Sequence, residues 1–327
     1  MEQPVSPPKA VVSGLLSPLF PVVIFLVFLG LAAGLRYGLV QQDKRQIEAN
    51  LTNEARAMAN HLEREFLIHA EAIRRMAKRL EADPAKTKQE WRRDARNYLD
   101  DFGVYQAIEW IDSDFIIRWL EPITDNEEVI GYNVAFNEER RQALERAKQS
   151  GSWDLSGIIN LRQGGKGMVI YAPVGAGPEN NGFIAGVFRM EVLARQLLTE
   201  RVLESFRVEI REAGEVSYEL NVSQPVSRDF AQTQDVNLPT LDWTLTLRPS
   251  TEWVESQYSY WPGMTFATLL LMGLLTSLTT LLVQLILKRN RALLKTRREL
   301  DQEIAQRTAI QKDLERLEST DTLTGLA

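Results

Sequence analysis

His61 and His69 are the only histidines in the chain. Eight residues apart on a helical stretch, they would stand about 12 Å from each other along the axis. That is too far for joint ligation of one metal ion, and the chain contains no cysteine, so disulfides, thiolate metal sites and thiolate nucleophiles are excluded together and a zinc enzyme is not expected. "HLEREF" at His61 has the look of a phosphoacceptor segment, but the topology argued below puts it away from ATP. "GGKG" at Gly164–Gly167 lacks the Gly-x4-Gly-Lys-Ser/Thr spacing of a phosphate loop, and a strand-like "MVIYAPV" follows it where a helix would be needed, so it reads as a hairpin turn.

The remaining chemistry is binding. Trp119, Tyr132, Asn133 and Tyr171 combine flat aromatic faces with an amide that could orient a small ligand in a pocket; the alternative is that the aromatics fill a core. If the strand over 115–120 alternates regularly, Phe115, Ile117 and Trp119 share one face and Arg118 points to the other. Arg118, Arg162 and Arg189 could attract an anion, although arginines on strands are common. No catalytic residue, metal ligand or cofactor is expected in this chain.

Those residues need a scaffold, and two apolar stretches set its boundaries. Residues 10–35 carry no charge, and "LFPVVIFLVFLGLAAGL" is long enough to cross a bilayer core of roughly 30 Å; a cleaved signal peptide is the competing reading. The second span, Met264–Leu287, follows Tyr258, Tyr260 and Trp261 and precedes "KRNRALLKTRR", with six basic and no acidic residues. Such a cluster stays cytoplasmic. Both termini are then expected in the cytoplasm of a bacterial inner-membrane protein, with the segment 40–257 outside. Of 327 residues 44% are hydrophobic, and 38 basic residues face 44 acidic ones. The chain is therefore neither disordered nor a polycation built for nucleic acid.

Outside the membrane, Ile47, Leu51, Ala55, Met58, Leu62, Phe66, His69, Ile73, Met76 and Leu80 recur at helical spacing. This stripe either packs on its own domain or forms a dimer seam. "TKQE" at Thr87–Glu90 is a capping box opening a second helix. "YQAIEWI" and "FIIRWLE" around "DSD" predict a hairpin. Asn137 and Gly151 bracket a short helix. "SGIINL", "GMVIYAPV" and "NGFIAGVFRM" predict strands and "EVLARQLLTE" a helix, followed by strands "FRVEIRE", "SYELNV" and "LDWTLTLRP". Hairpins with helices to one side imply an α+β arrangement.

The succession "IEWIDSDFIIRWLEP", "NEEVIGYNV", "ERRQALERAKQSG" and "SGIINLRQGGKGMVIYAPV" resembles the extracytoplasmic CHASE sensor domain over residues 85–189. The resemblance implies a long N-terminal helix bearing two PAS-like lobes, the distal one holding a small ligand and the membrane-proximal one passing the signal on. The expected organisation is a cytoplasmic start (1–14), a first span (15–39), a stalk helix (40–83), a distal lobe (84–192), a proximal lobe (193–257), a second span (258–287) and a signalling coil (288–320).

The coil is rich in helix formers. Leu293, Leu300 and Ile304 begin an apolar seam that Ile310, Leu314 and Leu317 continue, but Arg307 and Gln311 interrupt the heptad. It is either a two-helix switch or a solvated charged helix. The last residues, "DTLTGLA", resemble the start of the GGDEF module of diguanylate cyclases, with Asp321, Leu323, Thr324, Gly325 and Leu326 matching in place. In that family this opening is structural, and the GG[DE]EF signature is not among these residues. The resemblance implies a cyclase output beyond them, using GTP and Mg, and a homodimer, because two GTP-loaded sites must face each other. The expected partners are thus a second copy, a small extracytoplasmic ligand and the lipid bilayer, with no nucleic acid. Histidine-kinase output, a degenerate GGDEF module that binds cyclic dinucleotide, and a non-enzymatic membrane adaptor are the alternatives.

Overall fold

The computed structural model describes residues 17–319 except 125, 163, 176–179, 199 and 222–224. The GGDEF-like stretch 321–326 lies outside the described residues. The chain divides into two compact units, one of residues 43–258 and one formed by its two ends.

In the unit of the two ends, helix α1 (Phe20–Ala82) begins and helix α7 (Trp261–Ser319) runs, each with an apolar window long enough to cross a membrane. They touch through small residues. Gly273 leaves room for Phe28, whose Cβ would lie 2.6 Å from any Cβ added there, and the Ser277 hydroxyl donates to the Pro21 carbonyl at 2.8 Å. Leu26, Leu31, Leu271, Leu274 and Leu285 project outward and are more than half exposed. An apolar surface of that extent is stable in hydrocarbon rather than water. Past the apolar window of α7, Leu293, Leu300, Ile304, Ile310 and Leu314 are likewise more than half exposed.

The middle unit is mixed α and β. After α1 come α2 (Lys88–Phe102), β1 (Tyr105–Ile111), β2 (Ile117–Glu121), α3 (Glu138–Ser150), β3 (Asp154–Leu155), β4 (Ile159–Asn160), β5 (Lys166–Pro173) and β6 (Phe183–Arg189). Then follow α4 (Met190–Leu197), α5 (Glu200–Ser205), β7 (Phe206–Glu212), β8 (Glu215–Leu220), β9 (Gln232–Leu238), β10 (Leu241–Pro249) and α6 (Thr251–Gln257). The first lobe is an antiparallel sheet in the order β2-β1-β6-β5-β3, with β4 also on β5; the second is β8-β7-β10-β9.

Local signals act as read. The Thr87 hydroxyl accepts from the Glu90 amide while the Glu90 carboxylate accepts from the Thr87 amide, closing the capping box, and Asn137 caps α3, which ends on left-handed Gly151 at φ 63°. Gly164 and Gly165, both left-handed, turn β4 into β5.

The apolar stripe of α1 is covered by its own domain. Ile47, Ala55 and Ile73 are fully buried in a cluster that takes in the inner faces of both sheets, so α1 is the common core of the two lobes. Its outward face carries Asn53, Asn60, Leu67 and Ile68. Gly186 sets the contact with the first sheet: a Cβ there would stand 2.9 Å from two Ile73 atoms and from the Tyr105 ring. Gly186→Ala is expected to cost about 1–3 kcal/mol of stability through overpacking, read as a lower urea midpoint of tryptophan fluorescence.

Two strand assignments change. "SGIINL", residues 156–161, is a strand only at β4 (Ile159–Asn160); Gly157, at φ 73°, separates it from β3, which precedes the segment. β9 was not anticipated, because "QTQDVNL" buries only Val236 and Leu238 and turns its polar residues to solvent.

Candidate functional site

One face of the first sheet packs on α1 and α2; the other is covered by α3 and the segment 122–137. On this second face Ala107, Ile111, Val169, Phe183, Ala185 and Val187 meet Val129, Val134, Ala143, Leu144 and Ala147 in an apolar cluster. Three polar side chains sit within it. Glu109 lies between Ala107 and Ile111 on β1 and is 1% exposed, Tyr171 on β5 is fully buried, and Arg140 on the first turn of α3 is 6% exposed.

These three share one electrostatic environment, and Tyr132 joins it from the 122–137 segment. Burial pushes the Glu109 carboxyl up to about 7, against the pull of Arg140. Burial also raises Tyr171, keeping it a neutral phenol. Nearby negative and phenolic groups hold Arg140 charged despite its burial. Glu109 Oε2 has no hydrogen-bond partner, and Glu109 has no ion-pair partner within 4.0 Å among the described residues; the Tyr171 hydroxyl has only the Arg140 guanidinium beside it, without a well-aligned hydrogen bond. Buried polar groups are rarely left so.

Of the residues singled out from sequence, Tyr171 is at this cluster and Tyr132 at its edge, with the Arg162 guanidinium stacked 4.7 Å over the Tyr132 ring. Asn133 spends its amide on the backbone, accepting from the Ala135 amide at 2.9 Å and donating to the Asp114 carbonyl at 3.0 Å. Trp119 is elsewhere. The pairings Trp110↔Trp119 and Ile111↔Ile117 leave Arg118 as an extra residue in β2, and this bulge turns Trp119 to the opposite face from Ile117. There Trp119 stacks on Trp110 at 4.4 Å and faces Trp91 at 5.7 Å. The expectation that Phe115, Ile117 and Trp119 share a face is corrected by that bulge. Arg118 pairs with Asp112 at 2.5 Å.

Glu109 and Arg140 were missed. Glu109 was detectable as the lone charge in "YQAIEWI", in step with Ala107 and Ile111; Arg140 was hidden among the charges of "NEERR".

Helix α3 is linked to the second lobe through Asp154 of β3. Arg146 donates from Nε and Nη2 to Asp154 at 2.9 and 3.1 Å, and Asp154, 3% exposed, accepts as well from the Thr240 hydroxyl at 2.7 Å. Thr240 lies in the β9–β10 turn, and three residues earlier the amide and side chain of Asn237 both donate to Glu63 on α1, at 2.6 and 2.9 Å. A separate apolar cavity of ≈ 20 Å³ lies between α1, α4 and the second sheet, lined by Met58, Phe66, Leu193 and Trp243. It has room for about one water and no polar lining to hold it, so it is a packing gap.

Residues 55–220, just over half of the chain, match the CHASE domain. The chain belongs to the CHASE domain family. No curated protein matches it in sequence. Among solved structures, the ligand-binding domain of the Pseudomonas fluorescens chemoreceptor CtaA, in complex with L-isoleucine, aligns with TM-score 0.51 at 12% identity over 67% of this chain and 98% of that one. The ligand-binding domain of the Pseudomonas aeruginosa PAO1 amino acid chemoreceptor PctC, in complex with GABA, aligns with TM-score 0.50 at 14% identity over 62% and 99%. An extracellular ligand binding receptor from Desulfohalobium retbaense gives TM-score 0.48 at 14% identity over 59% of this chain, which spans 39% of that receptor. At such identities the likeness is one of fold. A CHASE domain framed by two helices apolar enough to cross a membrane fits a transmembrane signal receptor with an extracytoplasmic sensor.

Proposed function

We propose that the chain is the sensory half of a homodimeric inner-membrane receptor that binds a small ligand in its distal lobe and controls a diguanylate cyclase beginning at Asp321. The observation that carries the ligand site is the buried, incompletely partnered cluster of Glu109, Arg140 and Tyr171 in a CHASE domain. The solved relatives carry L-isoleucine and GABA, which suggests a ligand of that size. The contacts from α3 through Asp154 and the β9–β10 turn to Glu63 supply a route to α1. A ligand that binds two arrangements of that route unequally would bias α1, and a coupling of about 1–3 kcal/mol is ordinary for such receptors.

The cyclase reading rests on the "DTLTGL" resemblance, and pairing is supported by the apolar seam on α7, exposed on the single helix. The basic cluster after Leu287 favours a cytoplasmic α7 tail. Because the chain lacks cysteine, single reporters settle topology: Gln149→Cys should react with a membrane-impermeant maleimide in intact cells and Gln306→Cys should not, and the reverse pattern would overturn the orientation. Membranes carrying the full gene product should convert GTP to cyclic di-GMP. A correctly inserted protein without that activity would remove the cyclase reading.

A further inference from the structure

We propose that Glu109, Arg140 and Tyr171 form a recognition site for a small amphoteric molecule, which places a cationic donor such as an ammonium against Glu109 and an anionic acceptor such as a carboxylate against Arg140 and Tyr171. The proposal rests on the distal-lobe reading above and adds the chemistry of the ligand.

Three observations carry it. First, Glu109 is 1% exposed and its Oε2 has no partner, while the fully buried Tyr171 hydroxyl has only the Arg140 guanidinium beside it; leaving a buried carboxylate oxygen unpaired is costly enough that it normally has a partner. Second, the cluster holds opposite charges that sense each other without joining: Arg140 acts on Glu109, yet the two make no ion pair within 4.0 Å. Two opposite charges held apart in an apolar shell are both satisfied by one molecule of matching polarity inserted between them, whereas a molecule with one charge leaves the other side unanswered. Third, the three groups come from separate elements, β1, α3 and β5, with apolar walls from Ala107, Val169 and Ala185. This combination of an apolar enclosure and a few convergent polar groups is typical of small-ligand sites.

The groups that interact with Glu109 are Arg140 from α3 and Tyr171 from β5, and Tyr132 acts on both of these in turn. Burial holds the free Glu109 carboxyl near neutrality, at about 7. A cationic donor needs it ionised, so affinity should fall as pH drops below 7 and level off above it.

The test uses the full chain in nanodiscs and isothermal titration with the twenty common L-amino acids, β-alanine, GABA, taurine and glycine betaine, then the deaminated and decarboxylated analogues of whichever compound binds. The expected result is that a zwitterion binds, that both analogues bind at least about tenfold weaker, and that Glu109→Gln weakens the zwitterion but not its deaminated analogue. The decline in affinity below pH 7 should vanish in Glu109→Gln. Tyr171→Phe keeps the ring that fills the core and deletes only the hydroxyl beside Arg140, so it should weaken binding with little change in melting temperature, which separates recognition from folding. The proposal is overturned if no zwitterion in the panel binds, if a simple carboxylate or amine binds as tightly, or if Glu109→Gln binds undiminished. A carboxylate or amine that needs Tyr171 would sink the amphoteric ligand and keep the distal-lobe site. A ligand that survives both variants and protects the second lobe in hydrogen exchange would sink the distal-lobe reading itself.

Discussion

Arg146→Met is expected to lower the melting temperature of the full chain and to cost about 3 kcal/mol of stability. Asp154 is 4% exposed at its side chain and receives both arms of the Arg146 fork. Removing the guanidinium leaves a buried carboxylate held by the Thr240 hydroxyl and the Leu155 amide alone. Breaking a buried pair on one side costs about 3–5 kcal/mol; Arg146 is itself 39% exposed, so the lower end applies. The effect should spread beyond α3. Hydrogen exchange should accelerate at 237–241, which Arg146 does not touch, because Asp154 is what Thr240 holds. If only α3 and β3 respond, Asp154 is a local anchor and the route from the first lobe to α1 is not carried by it. Thr240→Val, which deletes one bond to the same carboxylate, should give a smaller loss of about 1–2 kcal/mol.

Acidification should destabilise the protein through His69. Its ring lies on α1 among Phe102, Tyr105 and Phe188, at centroid distances of 5.1, 5.3 and 5.3 Å, with Nδ1 3.2 Å from the Tyr105 hydroxyl. Burial lowers its pKa from 6.5 to about 4, so the folded state favours the neutral ring. The resulting stability is complete above pH 6.5 and is lost as pH falls from there through 4, a total of about 3 kcal/mol. Glu65, 4.0 Å away, can return part of that as the ring charges. Glu109 works in the opposite sense: its raised pKa makes ionisation unfavourable in the fold, so it gains stability as pH falls from about 7 towards 4.5. The two slopes partly cancel in the wild-type protein. The decisive measurement is therefore the difference in urea midpoint between wild type and His69→Gln at pH 7.5 and pH 4.5. That difference should shrink at the lower pH. A constant difference would mean the buried ring does not titrate as its surroundings dictate.

What the sequence determined by itself was whatever is decided within a few residues or by periodicity. Thr87 and Glu90 bond to each other across three residues, Asn137 caps the helix it begins, and Gly151 ends it; none of these needs the rest of the fold. The two apolar windows and the ten-residue stripe of α1 were equally plain, since burial in lipid or core imposes a repeat on the chain. The partner of that stripe was not readable, because a helix face records only that something apolar covers it. The tertiary structure put both sheets there. Trp119 shows the limit most clearly: its face depends on one unpaired residue, Arg118, whose position is fixed by the registration of β2 against β1. Glu109, Arg140 and Tyr171 lie 31 residues apart at each step and converge only because β5 and β1 flank β6 and α3 lies across them. Sequence singled out Tyr171 and gave no sign of Glu109 and Arg140 beside it, since the value of each depends on a neighbour supplied by sheet order.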